Sequence, residues 1–160
     1  MQKEKDRITY IGRIKTPHKK IADCPFHGNK AEDICTIEVF KEYEEGLTMA
    51  DTCNHLTILY WMDRANRNQL LQHIPGGHSG EGKDVGGFTC PSSHRPNPVA
   101  VTVAELLERS GRFLKVKGLD CLDGTPLLDL KAYHPGYDHF PEAKIGWLDS
   151  ETTQDRNICR

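Results

Sequence analysis

A cluster of aspartates near the end of this 160-residue chain could do chemistry: Asp120, Asp123 and Asp129 fall within ten residues. Asp123 precedes a glycine, and an Asp-Gly pair is typical of a tight turn that the Asp side chain caps. Asp120 has no such role, and we predict that it faces solvent or a pocket. Because alternate residues of a strand share a face, Asp129, Lys131 and Tyr133 are predicted to line up.

A second polar segment, CPSSHRPNP at residues 90–98, leads directly into an alternating apolar stretch. Proline fixes φ and restricts the residue before it, so this segment is stiff before folding. Stiffness would hold the side chains of Ser92, Arg95 and Asn97 in set directions. A simpler interpretation is a rigid loop that closes the end of a barrel, with Arg95 paired to a carboxylate.

The spacing of cysteines and histidines leaves a metal site open as an alternative. Cys24 and His27 are separated by two residues, and Cys90 and His94 by three. Two cysteines and two histidines can complete a tetrahedral zinc site, although these spacings are not those of a common zinc motif. The leading prediction is therefore that the chain holds no metal.

The elements that must position these residues are mostly strands. Alternation or β-branched composition predicts strands at residues 7–14, 34–40, 55–62, 98–110, 112–122 and 125–133. The segment 63–74 has good helix formers and is predicted to be a helix, with Asp63 as its N-cap. Residues 15–33 are predicted to be a long loop, and the glycine-rich residues 75–87 a mobile connector without phosphate-loop spacing.

Many short strands with little helix favour a mainly-β, single-domain, barrel-like fold with one or two short helices. The pattern argues against a doubly wound fold, which needs a helix after nearly every strand. The cysteines at 35, 53 and 121 lie in or beside apolar runs and are predicted to be small core residues.

Charge and composition limit the partners. The net charge is −2, whereas general nucleic-acid binders are usually basic, so an RNA partner would need a local patch or a surface shared between subunits. No run of 18 apolar residues is present, so no membrane association is predicted. The first residues have no apolar signal region, and a cytoplasmic location is expected.

Four segments in this order, IGRIKTPHKK…CPFHG, HLTILYWM, SSHRPNPVAVTVAEL and LDCLDGTPLLDLKAYHP, resemble the TsaA-like family, which includes the TrmO-type tRNA methyltransferases. The similarity runs from about Ile11 to Pro135. It implies the short form of the family: a β-barrel domain over residues 1–145 and a C-terminal tail over 146–160. It also implies a homodimer that binds S-adenosylmethionine near its interface and methylates N6 of threonylcarbamoyladenosine in tRNA.

The resemblance also implies roles for individual residues. Cofactor contacts are expected from His27, Gly28, Asn29, Asp63, Arg64, Val103, Asp120, Cys121, Leu122 and Asp123. Substrate contacts are expected from Ser92, Arg95, Asn97, Lys131 and Tyr133. Candidate catalytic residues are Asp120, His27 and Arg95.

Departures from the family pattern leave the acceptor open. Phe26 and Pro91 stand where many relatives carry an arginine, a residue suited to phosphate or carboxylate partners. One alternative is a methyltransferase that acts on a small metabolite or a protein. A second alternative is a non-catalytic metal-binding or ligand-binding module.

Overall fold

The structure is a computed structural model that describes residues 7–25, 27–28, 31–74 and 82–149, the last two residues by backbone alone. Within these ranges lie eight strands and two short α-helices. The strands are β1 (Gly12–Lys15), β2 (Ile34–Val39), β3 (His55–Trp61), β4 (Leu71–Ile74), β5 (Lys83–Gly86), β6 (Val99–Ser110), β7 (Phe113–Lys117) and β8 (Thr125–Ala132). The α-helices are α1 (Pro135–Asp138) and α2 (Gly146–Asp149). Three short 3₁₀ helices cover Ile21–Asp23, Lys41–Leu47 and Ala50–Thr52.

Six of the described strands close into a barrel in the order β1-β2-β7-β6-β3-β8. Alternate residues of β2 and β7 face the core: Cys35, Ile37 and Val39 on β2, and Leu114 and Val116 on β7. The residues between them face outward, and these include the apolar Ile34 and Phe113 as well as Lys115. The core is formed by side chains such as Ile14, Ile37, Ile58, Leu114 and Leu127, each fully buried. The predicted mainly-β barrel fold is therefore confirmed.

The pairing of β3 with β8 contains a β-bulge. Ile58 pairs with Leu130, whereas Tyr60 pairs with Leu127, so Leu128 is the extra residue on β8. The residues that face the core are therefore odd-numbered before Leu128 and even-numbered after it. Consequently Asp129 points outward, away from the core.

The predicted helix at 63–74 is wrong, and so is the assignment of Asp63 as its N-cap. Residues 63–70 have no regular secondary structure beyond a turn at 63–64, and residues 71–74 are strand β4, which pairs with β5 in a separate two-stranded sheet. Two local features oppose a helix. The side chain of Asn66 accepts a hydrogen bond from the backbone N–H of Asn68, and Gln72 and Ile74 alternate inward as strand residues do.

The chain divides into two compact units, which we describe separately. One contains the described residues up to 63 together with 100–133 and forms the barrel. The other contains the described residues of 64–99 and 134–149, with a small core of Ile74, Val85 and Cys90 on which Trp147 packs. The boundary near residue 145 stays a prediction. Among the described residues, no helix is long and apolar enough to cross a membrane.

The barrel has two ends that we name for later use. The loop end consists of the described residues of the loop 16–33, the 118–124 connection, and the adjoining residues of β3 and β6. The far end consists of residues 41–53, the start of β3, and residues 130–133. Along β8, Thr125 and Lys131 are six positions apart, a distance of about 20 Å at the rise of an extended strand.

Candidate functional site

Asp120 is the centre of a hydrogen-bond network at the loop end. Its Oδ1 atom accepts a hydrogen bond from the Tyr60 hydroxyl at 2.5 Å, and its Oδ2 atom accepts one from the Gly28 N–H at 3.0 Å. The carboxylate is half-buried, whereas the Tyr60 side chain is 2% exposed. Asp120 therefore links the wall of the barrel to the loop that carries His27.

Thr102 on β6 extends this network. Its Oγ1 atom lies 3.1 Å from the Tyr60 hydroxyl oxygen. The single Tyr60 proton is directed at Asp120, so the Thr102 hydroxyl donates and the Tyr60 oxygen accepts. The hydrogen bonds thus run from Thr102 through Tyr60 to Asp120, which accepts at both carboxylate oxygens.

Gly28 is packed too closely for any side chain. A Cβ atom at this position would lie 2.6 Å from the Gly118 carbonyl oxygen and 2.6 Å from Thr102 Cγ2. Gly118 itself has φ +110°, a conformation that favours glycine. The two glycines therefore allow the loop, β6 and the 118–124 connection to meet beside Asp120.

Asp123 lies in the predicted tight turn, and its side chain binds the start of the 16–33 loop. Its Oδ1 atom accepts a hydrogen bond from the Thr16 N–H at 3.1 Å, and its Oδ2 atom pairs with Lys19 Nζ at 2.6 Å. Gly124 follows with φ +82°. These contacts tie the turn to the start of the 16–33 loop.

His18 is a buried member of the site that the sequence reasoning missed. Its side chain is buried, with Nδ1 3.2 Å from the Cys121 carbonyl oxygen and Nε2 3.1 Å from Asp33 Oδ2. The Thr16 hydroxyl donates to the same carbonyl at 3.0 Å. The Cys121 carbonyl is thus already engaged within the chain. The only signal for His18 in the sequence was its place in the Thr-Pro-His segment at residues 16–18.

The charge of Asp120 acts on its neighbours. Burial, and then the charge of Asp120, raises the pKa of the Cys24 thiol. The same causes in the same order raise the pKa of the Tyr60 hydroxyl and of the Cys121 thiol. Asp120 is therefore a local source of negative charge for the groups around it.

The barrel unit contains most of the expected cofactor residues, in different environments. His27 and Leu122 are half-buried beside Gly28 and Asp123, while the Cys121 side chain is buried in the core. Val103 is 38% exposed and follows Thr102, so by alternation it faces the outside of the barrel. Asn29 and Phe26 lie outside the described residues.

The strand-end pair Asp63 and Arg64 is exposed. Asp63 follows β3 and donates its backbone N–H to the Trp61 carbonyl at 2.9 Å. Arg64 opens the second unit. Their expected contacts with the cofactor stay predictions.

Lys131 and Tyr133 lie at the far end, away from Asp120. Lys131 Nζ is 3.1 Å from Asp129 Oδ2, which confirms that these residues share a face of β8. The Tyr133 ring lies 6.4 Å from the His55 ring, and its N–H donates to the His55 carbonyl. The structure therefore does not bring this pair together with the loop-end network.

In the second unit, Arg95 binds backbone carbonyls. Its Nη1 atom donates to the Gly87 oxygen at 2.6 Å and to the Cys90 oxygen at 3.0 Å. The suggested pairing with a carboxylate is wrong as far as the described contacts go, because the loop supplies these oxygens instead. Arg95 thus fixes the path of the loop before the proline segment.

Ser92 and His94 share a buried partner in the same unit. The Ser92 hydroxyl donates to Gln72 Oε1 at 3.2 Å, and His94 Nδ1 lies 3.1 Å from the same atom. Ser92 Oγ also accepts the His94 N–H. Asn97 is exposed and its carbonyl accepts from the Val99 N–H. Their expected role in substrate binding stays a prediction.

The proposed zinc ligands show other contacts. The Cys24 thiol points to the Lys20 carbonyl at 3.7 Å, and the Cys90 side chain is buried against Ile74 and Val85. Over the described residues, no group of three or more His, Cys, Asp or Glu side chains could hold a metal ion.

Comparison with known proteins places this geometry in a family. Residues 13–139 match the family model of the tRNA-methyltransferase O N-terminal domain. The chain therefore belongs to this family of methyltransferase domains, and the resemblance seen in the sequence is confirmed.

Particular relatives sharpen the assignment. A protein of Archaeoglobus fulgidus described as a probable S-adenosyl-L-methionine-binding protein is 44% identical over 94% of this chain. A second from that organism, described as an S-adenosyl-L-methionine-binding protein, is 41% identical over 80% of this chain and 89% of its own length. A mouse tRNA (adenine(37)-N6)-methyltransferase is 42% identical over 62% of this chain and 23% of its own length.

Solved structures agree with the fold. A crystal structure of TrmO from Pseudomonas aeruginosa has a TM-score of 0.73 and 27% identity over 89% of this chain and 62% of its own length. The chain also spans only 40% of the first Archaeoglobus relative.

Proposed function

We propose that this chain is an S-adenosylmethionine-dependent methyltransferase that modifies N6 of adenosine 37 in tRNA, with N6-threonylcarbamoyladenosine as the acceptor. The observation that carries the proposal is the family match over residues 13–139, which spans the barrel residues that surround Asp120. The names of the mouse relative and of the solved TrmO structures support the tRNA acceptor.

The chemistry of the loop end fits the cofactor. Asp120 presents half-buried carboxylate oxygens that can accept from ribose hydroxyls or an ammonium group, and its charge favours a cation. Asp120, the backbone around Leu122 and the loop at Gly28 would hold the cofactor there. The cofactor, when bound, supplies an electrophilic methyl group on a sulfonium.

The chain must then align the acceptor nitrogen and take a proton from it. Asp120 already accepts hydrogen bonds from Tyr60 and Gly28, which favours a binding role for its carboxylate. We therefore assign proton removal to His27, a half-buried imidazole next to Gly28. Contacts from the segment of Ser92, Arg95 and Asn97 to the acceptor remain part of the proposal.

The test has separate steps for cofactor and acceptor. Titration calorimetry with S-adenosylmethionine measures cofactor binding, and mass spectrometry measures the methylated nucleoside after incubation with tRNA from a strain that lacks the enzyme. We expect binding and methylation by the wild type, and no methylation by His27→Ala. Absence of binding at millimolar cofactor would overturn the whole proposal.

A second acceptor class is favoured by one sequence feature, the absence of arginine at positions 26 and 91. If the protein binds the cofactor but leaves tRNA unmethylated, a small metabolite or a protein side chain is the better acceptor. The homodimer implied by the family resemblance also belongs to the proposal, and sedimentation of the purified chain tests it.

A further inference from the structure

Tyr60 carries a hydroxyl group into the apolar interior of the barrel. Its side chain belongs to the core with Ile58 and Leu127, yet its hydroxyl reaches Asp120 Oδ1 at 2.5 Å and lies 3.1 Å from Thr102 Oγ1. A buried phenol needs such partners, because its hydroxyl is otherwise left without a hydrogen bond. A phenylalanine would fill the same volume without that requirement, so packing alone does not explain a tyrosine here.

The geometry shows what the hydroxyl does. Asp120 is held at one oxygen by Tyr60 from β3 and at the other by the Gly28 N–H from the loop. A carboxylate gripped at both oxygens by donors on different elements has a fixed plane. Its remaining lone pairs then point in fixed directions, which a ligand can use.

We propose that Tyr60 is a positioning residue for cofactor binding: its buried hydroxyl, itself held by Thr102, orients the Asp120 carboxylate and through it the Gly28 loop. This inference rests on the proposed function, since it names how the same site is held ready. Burial, and then the charge of Asp120, raises the pKa of the Tyr60 hydroxyl, so it stays a donor across the working pH range.

The test is a double-mutant cycle on cofactor affinity. Tyr60→Phe keeps the ring and removes the donor, and we expect the Kd for S-adenosylmethionine to rise about tenfold, equivalent to about 1.4 kcal/mol. In the Asp120→Asn background, the same change should have less than a twofold effect, because the group that Tyr60 orients has already lost its charge. A residue that only stabilises the fold would not show this coupling in affinity.

Two further variants complete the design. Tyr43→Phe is the matched control, because Tyr43 packs against the same core from the 3₁₀ helix Lys41–Leu47 at the far end, and it should leave Kd unchanged. Thr102→Val keeps the side-chain shape, removes the donor to Tyr60 and should raise Kd about threefold. If Tyr60→Phe does not fold, the Kd of Thr102→Val alone tests the positioning role of Tyr60.

The outcomes are distinct. A Kd for Tyr60→Phe within twofold of the wild type, or an equal loss in both backgrounds, overturns the positioning role while the proposed function stands. A folded Thr102→Val with wild-type Kd does the same when Tyr60→Phe is not folded. A wild-type protein that fails to bind the cofactor removes the proposed function and this inference together.

Discussion

The two ends of the barrel are built from the same strands but use polar groups in opposite ways. At the loop end, buried polar side chains such as His18 and Tyr60 are bonded to one another or to backbone across long sequence separations. At the far end, the ion pair of Lys131 with Asp129 lies on the exposed surface. There, residues including Leu47, Met49 and Leu130 line a cavity of about 250 Å³.

The two ends differ in how much stability is lost when one polar group is removed. A buried network is stable only when its members remain paired, so each member matters to the others. An exposed ion pair is screened by water and contributes little. Matched substitutions should therefore lower the free energy of unfolding more at the loop end than at the far end. Equal losses at both ends would contradict this difference.

The largest contrast is expected between Gly28→Ala and Gly46→Ala. The new Cβ at position 28 would meet backbone and Thr102 at 2.6 Å, so the loop must move away from Asp120. We expect the free energy of unfolding to fall by about 2–3 kcal/mol, with weaker cofactor binding. At position 46 nothing lies within 4 Å, and the change should be neutral or slightly stabilising. Urea denaturation measures both, and a similar loss in both variants would contradict the contrast.

Asp120→Asn and Asp129→Asn form the next pair. Asparagine at position 120 places an N–H₂ group against the Tyr60 hydroxyl or the Gly28 N–H, which are both donors, and should cost about 1–2 kcal/mol. At position 129 the carboxylate is 47% exposed, and the loss should stay within about 0.5 kcal/mol. Chemical denaturation of the two variants side by side is the check, and the reverse order of losses would refute it.

A smaller effect concerns the Cys24 thiol. The charge of Asp120 contributes, after burial, to raising the pKa of this thiol. Asp120→Asn should therefore lower that pKa and speed alkylation of Cys24 at pH 8 by about threefold, because the thiolate is the reactive form. The rate should rise with pH in both proteins, with the variant's profile displaced to lower pH. Peptide mapping after timed iodoacetamide treatment reads out the rate, and an unchanged profile would show that the charge does not reach Cys24.

The smallest effect is expected at Met49. This residue has φ +68°, a left-handed conformation that is costly for a side chain with a Cβ atom. Met49→Gly relieves that cost but adds freedom to the unfolded chain, so a gain of about 0.5 kcal/mol is expected. Thermal unfolding at pH 7 measures it. A loss of stability would mean that the methionine side chain contributes more packing than its 64% exposure indicates.

The sequence predicted the six barrel strands, because alternation on strands such as β2, β6 and β7 is a local signal, but it missed β4 and β5. It also predicted the tight turn at Asp123, where Gly124 adopts φ +82°. The predicted helix at 63–74 was wrong because β4 pairs with β5, whose residues lie nine to fifteen positions further along the chain. Local helix propensity cannot report such a pairing.

The site could be predicted only in part. Asp120 was identified as a polar residue without a structural role, and it is the centre of the loop-end network. Its partner Tyr60 lies inside the apolar run HLTILYWM, sixty residues earlier, and periodicity shows only that it is buried. The signal available was chemical, since a tyrosine in a core strand must find an acceptor. Lys131 lies away from the loop-end network because each later residue of β8 is farther from the loop end.

The extra residue Leu128 divides β8 into two parts whose inward-facing positions follow different numbering, and this matters to a protein engineer. Inward positions on β8 are odd-numbered up to Leu127 and even-numbered from Leu130, so no single alternating pattern describes the whole strand. A transplant of the loop end onto another barrel would have to place its junction beyond Leu128 and carry the insertion along. A junction placed before Leu128 that omitted the extra residue would turn every later side chain to the opposite face of the sheet.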